Sequence, residues 1–172
     1  KIKKYNQIKM DVILVDKKDK KIGTMEKIEA HKKGLLHRAF SIFVFNSDNE
    51  LLLQKRADSK YHSPGLWTNT CCSHPMPNST LENDIHKRLK NEMGFDCELK
   101  KSFTFIYKTE FENGLIENEF DHVFIGCYDD EPKPNPDEVS DYKWINLDEL
   151  KKDIIDNPNN YTYWLKKIID RI

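Results

Sequence analysis

The stretch that decides the reading of this chain is Trp67-Thr68-Asn69-Thr70-Cys71-Cys72-Ser73-His74-Pro75, taken together with Glu117-Asn118-Glu119. In extended backbone successive side chains point to opposite faces. Thr68, Thr70, Cys72 and His74 are therefore expected on one side of a strand, and Glu117 and Glu119 on one side of another. A thiol and an imidazole two apart, brought beside two carboxylates two apart, would form a metal and proton-transfer cluster. Two carboxylates on one face repel unless one is protonated or a cation lies between them.

Upstream, Pro64-Gly65 breaks the chain. Residues 37–45 alternate Phe40, Ile42 and Val44 against Ala39, Ser41, Phe43 and Phe45, so both faces are apolar and a central strand is expected. A turn at 46–50 returns residues 51–56 as its hairpin partner. That strand ends in cations: Lys55, Arg56 and then Lys60. Further upstream, residues 10–16 read as a first strand, followed by a polar loop carrying His31 and His37.

Downstream, Ser79-Thr80-Leu81-Glu82 has the form of a capping box, and Leu81, Ile85 and Leu89 recur at spacing four before Gly94. A helix over about residues 80–93 follows. Glu92 sits in its last turn with Arg88 one turn earlier, either as an ordinary salt bridge or as a cation ligand beside an anion clamp. Strands are expected at 103–108 and 116–128 around Glu112-Asn113-Gly114, with Cys97 and Cys127 as small core residues. Residues 129–136 form a loop, 142–145 a strand and 147–155 a helix stopped by Asn157-Pro158. A last helix carries Tyr163, Trp164, Ile168 and Ile169. Taken singly, His31 and His37 fit loop positions, the cations fit solvated charge, and Trp164 fits a packing residue.

The 172 residues, 38% of them hydrophobic, suit one domain over 1–172, with residues 1–9 a possible flexible tail. Charged side chains are abundant, but 28 basic residues nearly cancel 29 acidic ones. No broad field steers the molecule to nucleic acid or to an anionic membrane, so an anion must be held by local cations. The four cysteines form no CxxC pair, which fits a reducing, cytoplasmic compartment. No stretch approaches the roughly 20 apolar residues of a membrane helix, and the first residues lack a signal-peptide core.

His31, His37, His74, Glu117 and Glu119 are the candidates for a metal, Cys72 for acid/base or nucleophilic work, and Glu92 for a second cation. Three imidazoles and two carboxylates suit Mn, Fe or Zn; a lone carboxylate with phosphate oxygens suits Mg. Lys27, Arg56, Lys60 and Arg88 could clamp a diphosphate, each charge-assisted hydrogen bond being worth roughly 1.5 to 3 kcal/mol.

The run from Gly65-Leu66-Trp67 through Pro75 closely resembles the type I isopentenyl diphosphate isomerases of the Nudix superfamily. So do Glu26-Lys27 with His31, His37-Arg38-Ala39-Phe40-Ser41, Glu117-Asn118-Glu119 and Trp164. The resemblance implies an α+β Nudix fold, with mixed β-sheets packed between α-helices. It makes His31, His37, His74, Glu117 and Glu119 ligands of one Mn2+ or Zn2+, and Glu92 the carboxylate that holds Mg2+ with the substrate diphosphate. It makes Cys72 and Glu119 the catalytic pair, Tyr107 the partner of Glu119, and Lys27, Arg56, Lys60 and Arg88 the diphosphate site.

Moving a double bond requires one proton added and another removed two carbons away, hence two acid/base groups. Trp164 is the candidate to face the cationic carbon. Residues 88–95 resemble a degenerate Nudix box: Glu92, Gly94 and Phe95 fit its end, but Arg88 and Asn91 stand where hydrolases carry glutamates, which argues against diphosphate hydrolysis. A hydrolase of another diphosphate and a catalytically silent binding module are the rival readings. The expected partner is a small isoprenoid diphosphate, without nucleic acid or membrane, on a monomer or weak homodimer.

Overall fold

The computed structural model describes residues 9–172; all but the last residue of the tail expected over 1–9 lies outside them. In order the chain forms β1 (Asp11–Val15), β2 (Lys21–Glu26), α1 (Lys27–Lys33), β3 (His37–Phe45), β4 (Glu50–Arg56), β5 (Trp67–Thr68) and β6 (Cys71–Ser73). There follow α2 (Leu81–Met93), β7 (Leu99–Glu110), β8 (Ile116–Cys127), β9 (Val139–Asn146), α3 (Leu147–Asp156) and α4 (Tyr163–Ile168).

Strand β3 organises the sheet because it is apolar on both faces. Phe40, Ile42 and Val44 are buried with Ile85, Leu89 and Met93 of α2, while Phe43 is buried with Leu150 of α3 and Leu165 and Ile168 of α4. Such a strand is stable only between two layers. One edge of β3 pairs in parallel with β8 along its full length, from His37 opposite Glu119 to Phe45 opposite Cys127. Strand β7 then pairs antiparallel with β8 and sets Tyr107 opposite Glu119.

The other edge of β3 is where the sequence expectation changes. Strands β3 and β4 meet only at Phe45 and Leu51 and then diverge, and β4 runs antiparallel to β9 instead. Residues 67–73 fill the gap. Strand β5 pairs with β4 and β6 pairs with β3, setting Cys72 opposite Ser41. The stretch read as one strand is thus two, bent at Asn69-Thr70, and its side chains do not share one face. Polar groups hold the bend: Thr70 Oγ1 accepts from Val44 N at 2.9 Å and donates to the Leu52 carbonyl at 2.7 Å. Asn69 Nδ2 donates to the Ile42 and Cys71 carbonyls, and Gln54 Nε2 to the Thr70 carbonyl.

Other expectations need smaller corrections. The polar loop with His31 is helix α1, whose N-cap Glu26 accepts from the amides of Ile28 and Glu29. His37 opens β3 rather than lying in a loop. Thr80, not Ser79, caps α2, accepting from Asn83 N, so Glu82 is in the first turn but not at the position that closes a capping box. Gly94 ends α2 as expected. It adopts φ +76°, and a Cβ there would lie 2.2 Å from the Lys133 carbonyl oxygen. Cys97 is half-buried and packs against the core of α2 and β3 as expected, but Cys127 is exposed and is not a core residue.

Thr70 is fully buried, and both backbone groups it serves depend on its hydroxyl. Thr70→Val keeps the shape and leaves a donor and an acceptor unsatisfied, at about 1–3 kcal/mol each. Urea titration should show a loss of about 2–5 kcal/mol for Thr70→Val and a much smaller one for Thr70→Ser, which keeps the hydroxyl.

Candidate active site

The strand register brings the polar residues of β7, β8, β3 and β6 to one face. Tyr107 lies opposite Glu119, Glu119 opposite His37, Asp121 opposite Ala39, and Ser41 opposite both Val123 and Cys72. Helix α1 closes over the start of this face and buries His31.

Two imidazoles are aimed by backbone carbonyls. His31 Nδ1 is 2.6 Å from the Lys27 carbonyl and His37 Nδ1 is 2.9 Å from that of Leu35. Each Nδ1 donates its hydrogen there, so each Nε2 presents a lone pair. Both Nε2 atoms are buried without a hydrogen-bond partner, as is Glu117 Oε2. His74 Nε2 lies 2.9 Å and His37 Nε2 3.5 Å from Glu119 Oε1. Ligand atoms of His31, His37, His74 and Glu119 lie within 4.8 Å of one another, and those of His31, His62 and Glu117 form an overlapping group.

Burial lowers the His31 pKa and takes that of His74 down to about 3, so these rings are neutral. Burial, then the charge of Glu119, pushes the Glu117 carboxyl up; burial acts the same way on Glu119, but His74 and then His37 outweigh it and hold Glu119 well below the ordinary range. Buried nitrogen lone pairs, an unpartnered carboxylate oxygen and mixed N/O donors fit a divalent transition ion. Of the five residues expected as ligands, His31, His37, His74 and Glu119 form one group, and Glu117 falls in the overlapping group with His31 and His62.

Tyr107 donates its hydroxyl to Glu119 Oε2 at 2.6 Å. Across the face, Cys72 Sγ donates to Asn69 Oδ1 at 3.0 Å and lies 3.6 Å from Ser41 Oγ, which donates to Asp121 Oδ2 at 2.6 Å. Burial, then the charge of Asp121, pushes the Cys72 thiol up, so it is protonated. Trp164, on α4, is buried with its ring 5.3 Å from the Arg56 guanidinium.

Cys72, Glu119, Tyr107 and Trp164 line one cleft, which continues to Lys27, Arg56, Lys60, Arg88 and Glu92. The cationic end is crowded: burial, then Lys60, Arg56 and Arg88, takes Lys27 down to about 8. Glu138 partly offsets this charge, pairing with Lys60 and lying 3.7 Å from Arg88. Glu92 is buried; Cys71 Sγ donates to its Oε2 at 2.6 Å, and Oε1 is 3.4 Å from Arg88. Both the salt bridge and the placement in the cleft hold for Arg88 and Glu92.

Sequence reasoning passed over Tyr61, His62 and Glu138 in the cleft, and Asn69 and Asp121 around Cys72. The period-two spacing of Asp121 from Glu119 marked it for the same face. His62 and Glu138 lie in irregular segments where no periodicity applies.

The sheet and flanking helices form a NUDIX domain, whose family model matches residues 35–168. The fold is similar to that of a Deinococcus radiodurans protein (TM-score 0.78, 18% identity, 94% of this chain and 98% of that one). A MutT protein from Methanosarcina mazei is also similar (TM-score 0.63, 16% identity, 79% and 91%).

Relatives in sequence are much nearer. They include proteins named isopentenyl-diphosphate Delta-isomerase 2 from Aromatoleum aromaticum (55% identical; 94% of this chain, 85% of the relative) and Photorhabdus laumondii (58%; 92% and 90%). An isopentenyl-diphosphate Delta-isomerase from Pectobacterium atrosepticum is 49% identical (94% and 90%). The chain belongs to the isopentenyl-diphosphate Delta-isomerase family.

A lysine held near 8 is charged below that pH and neutral above it, so the cationic end of the cleft weakens as pH rises. Lys27→Met should reduce pyrophosphate affinity by about 10-fold or more at pH 7, one charge-assisted hydrogen bond being worth 1.5 kcal/mol or more. The ratio of parent to variant affinity, measured by calorimetry, should shrink as pH is raised above 8; a constant ratio contradicts the assignment.

Proposed function

We propose that this protein interconverts isopentenyl diphosphate and dimethylallyl diphosphate, with Cys72 and Glu119 exchanging the two protons. The observation that carries the reading is that a half-buried thiol and a buried carboxylate, on strands flanking β3, line one cleft together with four cations. Lys27, Arg56, Lys60 and Arg88 bind the diphosphate as charged hydrogen-bond donors. This anchoring sets the five-carbon unit between the thiol and the acid. One group forms a C–H bond at the terminal carbon while the other takes a proton two carbons away, so the double bond shifts without any redox change. In the reverse direction the two exchange roles.

Tyr107 holds Oε2 of Glu119, which leaves the carboxylate oriented for transfer at a defined atom. Asn69 and Ser41 orient the thiol. The tertiary cationic carbon is shielded from water, and the face of Trp164 stabilises it by about 1–2 kcal/mol in a dry site. His31, His37, His74, Glu117 and Glu119 would hold a divalent cation, Mn2+ or Zn2+ by donor type, which would supply fixed positive charge beside the two carboxylates. Glu92 would hold Mg2+ together with the diphosphate.

Diphosphate hydrolysis is disfavoured because α2 brings one carboxylate, Glu92, to the cleft, and Arg88 occupies the preceding turn. The protein acts as one domain, a monomer or weak homodimer, in the cytoplasm. Its four free cysteines support the reducing compartment, and its near-balanced charge supports a small-molecule partner rather than nucleic acid or membrane. No helix among the described residues is long and apolar enough to cross a membrane.

Incubation with isopentenyl diphosphate should yield the dimethylallyl isomer without phosphate release. Cys72→Ala and Glu119→Gln should each lower turnover by about 10^2 to 10^4-fold or more while diphosphate binding persists. Near-normal turnover in either variant sinks the pairing. Trp164→Phe should retain more activity than Trp164→Ala, whose loss should be about 5- to 30-fold if the ring supplies 1–2 kcal/mol. Equal rates in parent and alanine variant would remove the cation-stabilising role.

A further inference from the structure

His62 is a buried side chain of the cleft that the proposed chemistry leaves unused. It is 6% exposed, and its Nε2 lies 3.3 Å from Glu117 Oε1. Its ring is stacked on Phe111 (4.8 Å, 10°) and meets Tyr61 (4.5 Å, 90°) and Trp164 (5.8 Å, 87°) edge to face. The backbone around it is also tied down. The His62 carbonyl accepts from Arg56 Nη2 at 3.2 Å, and the Tyr61 carbonyl accepts from Asn113 Nδ2 at 3.2 Å. A ring gripped on three sides has little freedom to swing, so its contact with Glu117 is built in.

The group formed by His31, His62 and Glu117 is not a second ion site. His31 has a single free nitrogen, because its Nδ1 is committed to the Lys27 carbonyl, and that Nε2 also belongs to the group with His37, His74 and Glu119. One lone pair serves one ion. The part left for His62 is therefore toward the carboxylate. Ser63 Oγ lies 3.4 Å from Nδ1, and a hydroxyl donating there would leave the ring hydrogen on Nε2, which lies 3.3 Å from Glu117 Oε1. The other oxygen, Oε2, is buried with no partner. A carboxylate contacted at one oxygen leaves the other for a ligand.

We propose that His62 is a positioning residue of the metal centre: its Nε2–H holds Oε1 of Glu117 and so turns Oε2 toward the ion bound beside His31. The inference rests on the reading that the histidine–glutamate cluster binds a divalent cation. His62 touches neither the ion nor the reacting carbons; it acts through Glu117. Partners of this kind are worth about 10- to 100-fold in metal affinity.

The test is Zn2+ affinity, measured by competition with a chromogenic chelator, on the metal-free full chain. The variants are His62→Leu, His62→Gln, Glu117→Gln and the double variant His62→Leu/Glu117→Gln. His62→Leu should weaken Zn2+ binding by about 10- to 100-fold. His62→Gln, which keeps an N–H donor, should recover most of the loss and shows that the packing is not at issue. In the Glu117→Gln background, His62→Leu should add little, because its route to the ion has been removed.

Parental affinity in His62→Leu, or the same loss with and without Glu117, overturns the inference alone. A parent protein that takes up no Zn2+ at this cluster overturns the metal reading and the inference with it.

Discussion

The cleft exists because β3 and β4 are held apart, and what holds them is a hydroxyl and an amide. Two adjacent apolar strands joined by a short turn would zip together along their length, since each paired amide and carbonyl relieves a desolvation cost. Here the bend at Asn69-Thr70 offers the same backbone groups other partners. Thr70 takes the Val44 amide and the Leu52 carbonyl, and Asn69 takes the carbonyls of Ile42 and Cys71. The sheet therefore opens without leaving buried polar groups unpaired. The wedge that opens it carries Cys72 and His74, so the segment that makes room for a ligand also supplies chemistry to the space.

That space has two ends with opposite electrostatics. One end gathers Lys27, Arg56, Lys60 and Arg88; burial, and then the charge of its neighbours, pulls Lys27 toward neutrality, with Glu138 as the partial counterweight. Mutual repulsion of this kind makes an anion welcome. The other end holds imidazoles, a half-buried thiol and two buried carboxylates among aromatic rings. Ionisable groups in such surroundings are costly unless paired. The structure pairs them with carbonyls, hydroxyls and each other, and leaves a few buried lone pairs converging on one point.

The NUDIX fold alone does not say what the site does. Solved structures at 16–18% identity share the architecture, and a shared architecture hosts many reactions. What distinguishes this chain is local. Helix α2 brings Arg88 and Glu92 to the cleft, and a cysteine sits on the wedge strand opposite Ser41. On the function proposed above, those residues suit the site to proton exchange on a bound diphosphate.

Local rules carried much of the fold. The two-faced apolar pattern of residues 37–45 marked the central strand, the spacing of Leu81, Ile85 and Leu89 with Gly94 marked α2, and the alternation of Glu117 and Glu119 placed both on one face. The resemblance of the motifs to a known family then linked segments distant along the chain. Helix α1 escaped because its cap is Glu26, outside the usual capping residues, and its seven residues are too few for a periodic pattern. The wedge escaped because its bend answers to unpaired groups on β3 and β4, which no window around residues 67–75 contains.

By itself the sequence determined the central strand, helix α2 and most of the other regular segments, and which residue types can bind a metal, a proton or a diphosphate, because those depend on neighbours within a few positions. Only the tertiary structure decided that β3 and β4 part, that His62 meets Glu117, and that Glu138 tempers the cations. Each of these is a contact between segments that no local period relates, made where one backbone's unpaired groups or charges meet another's.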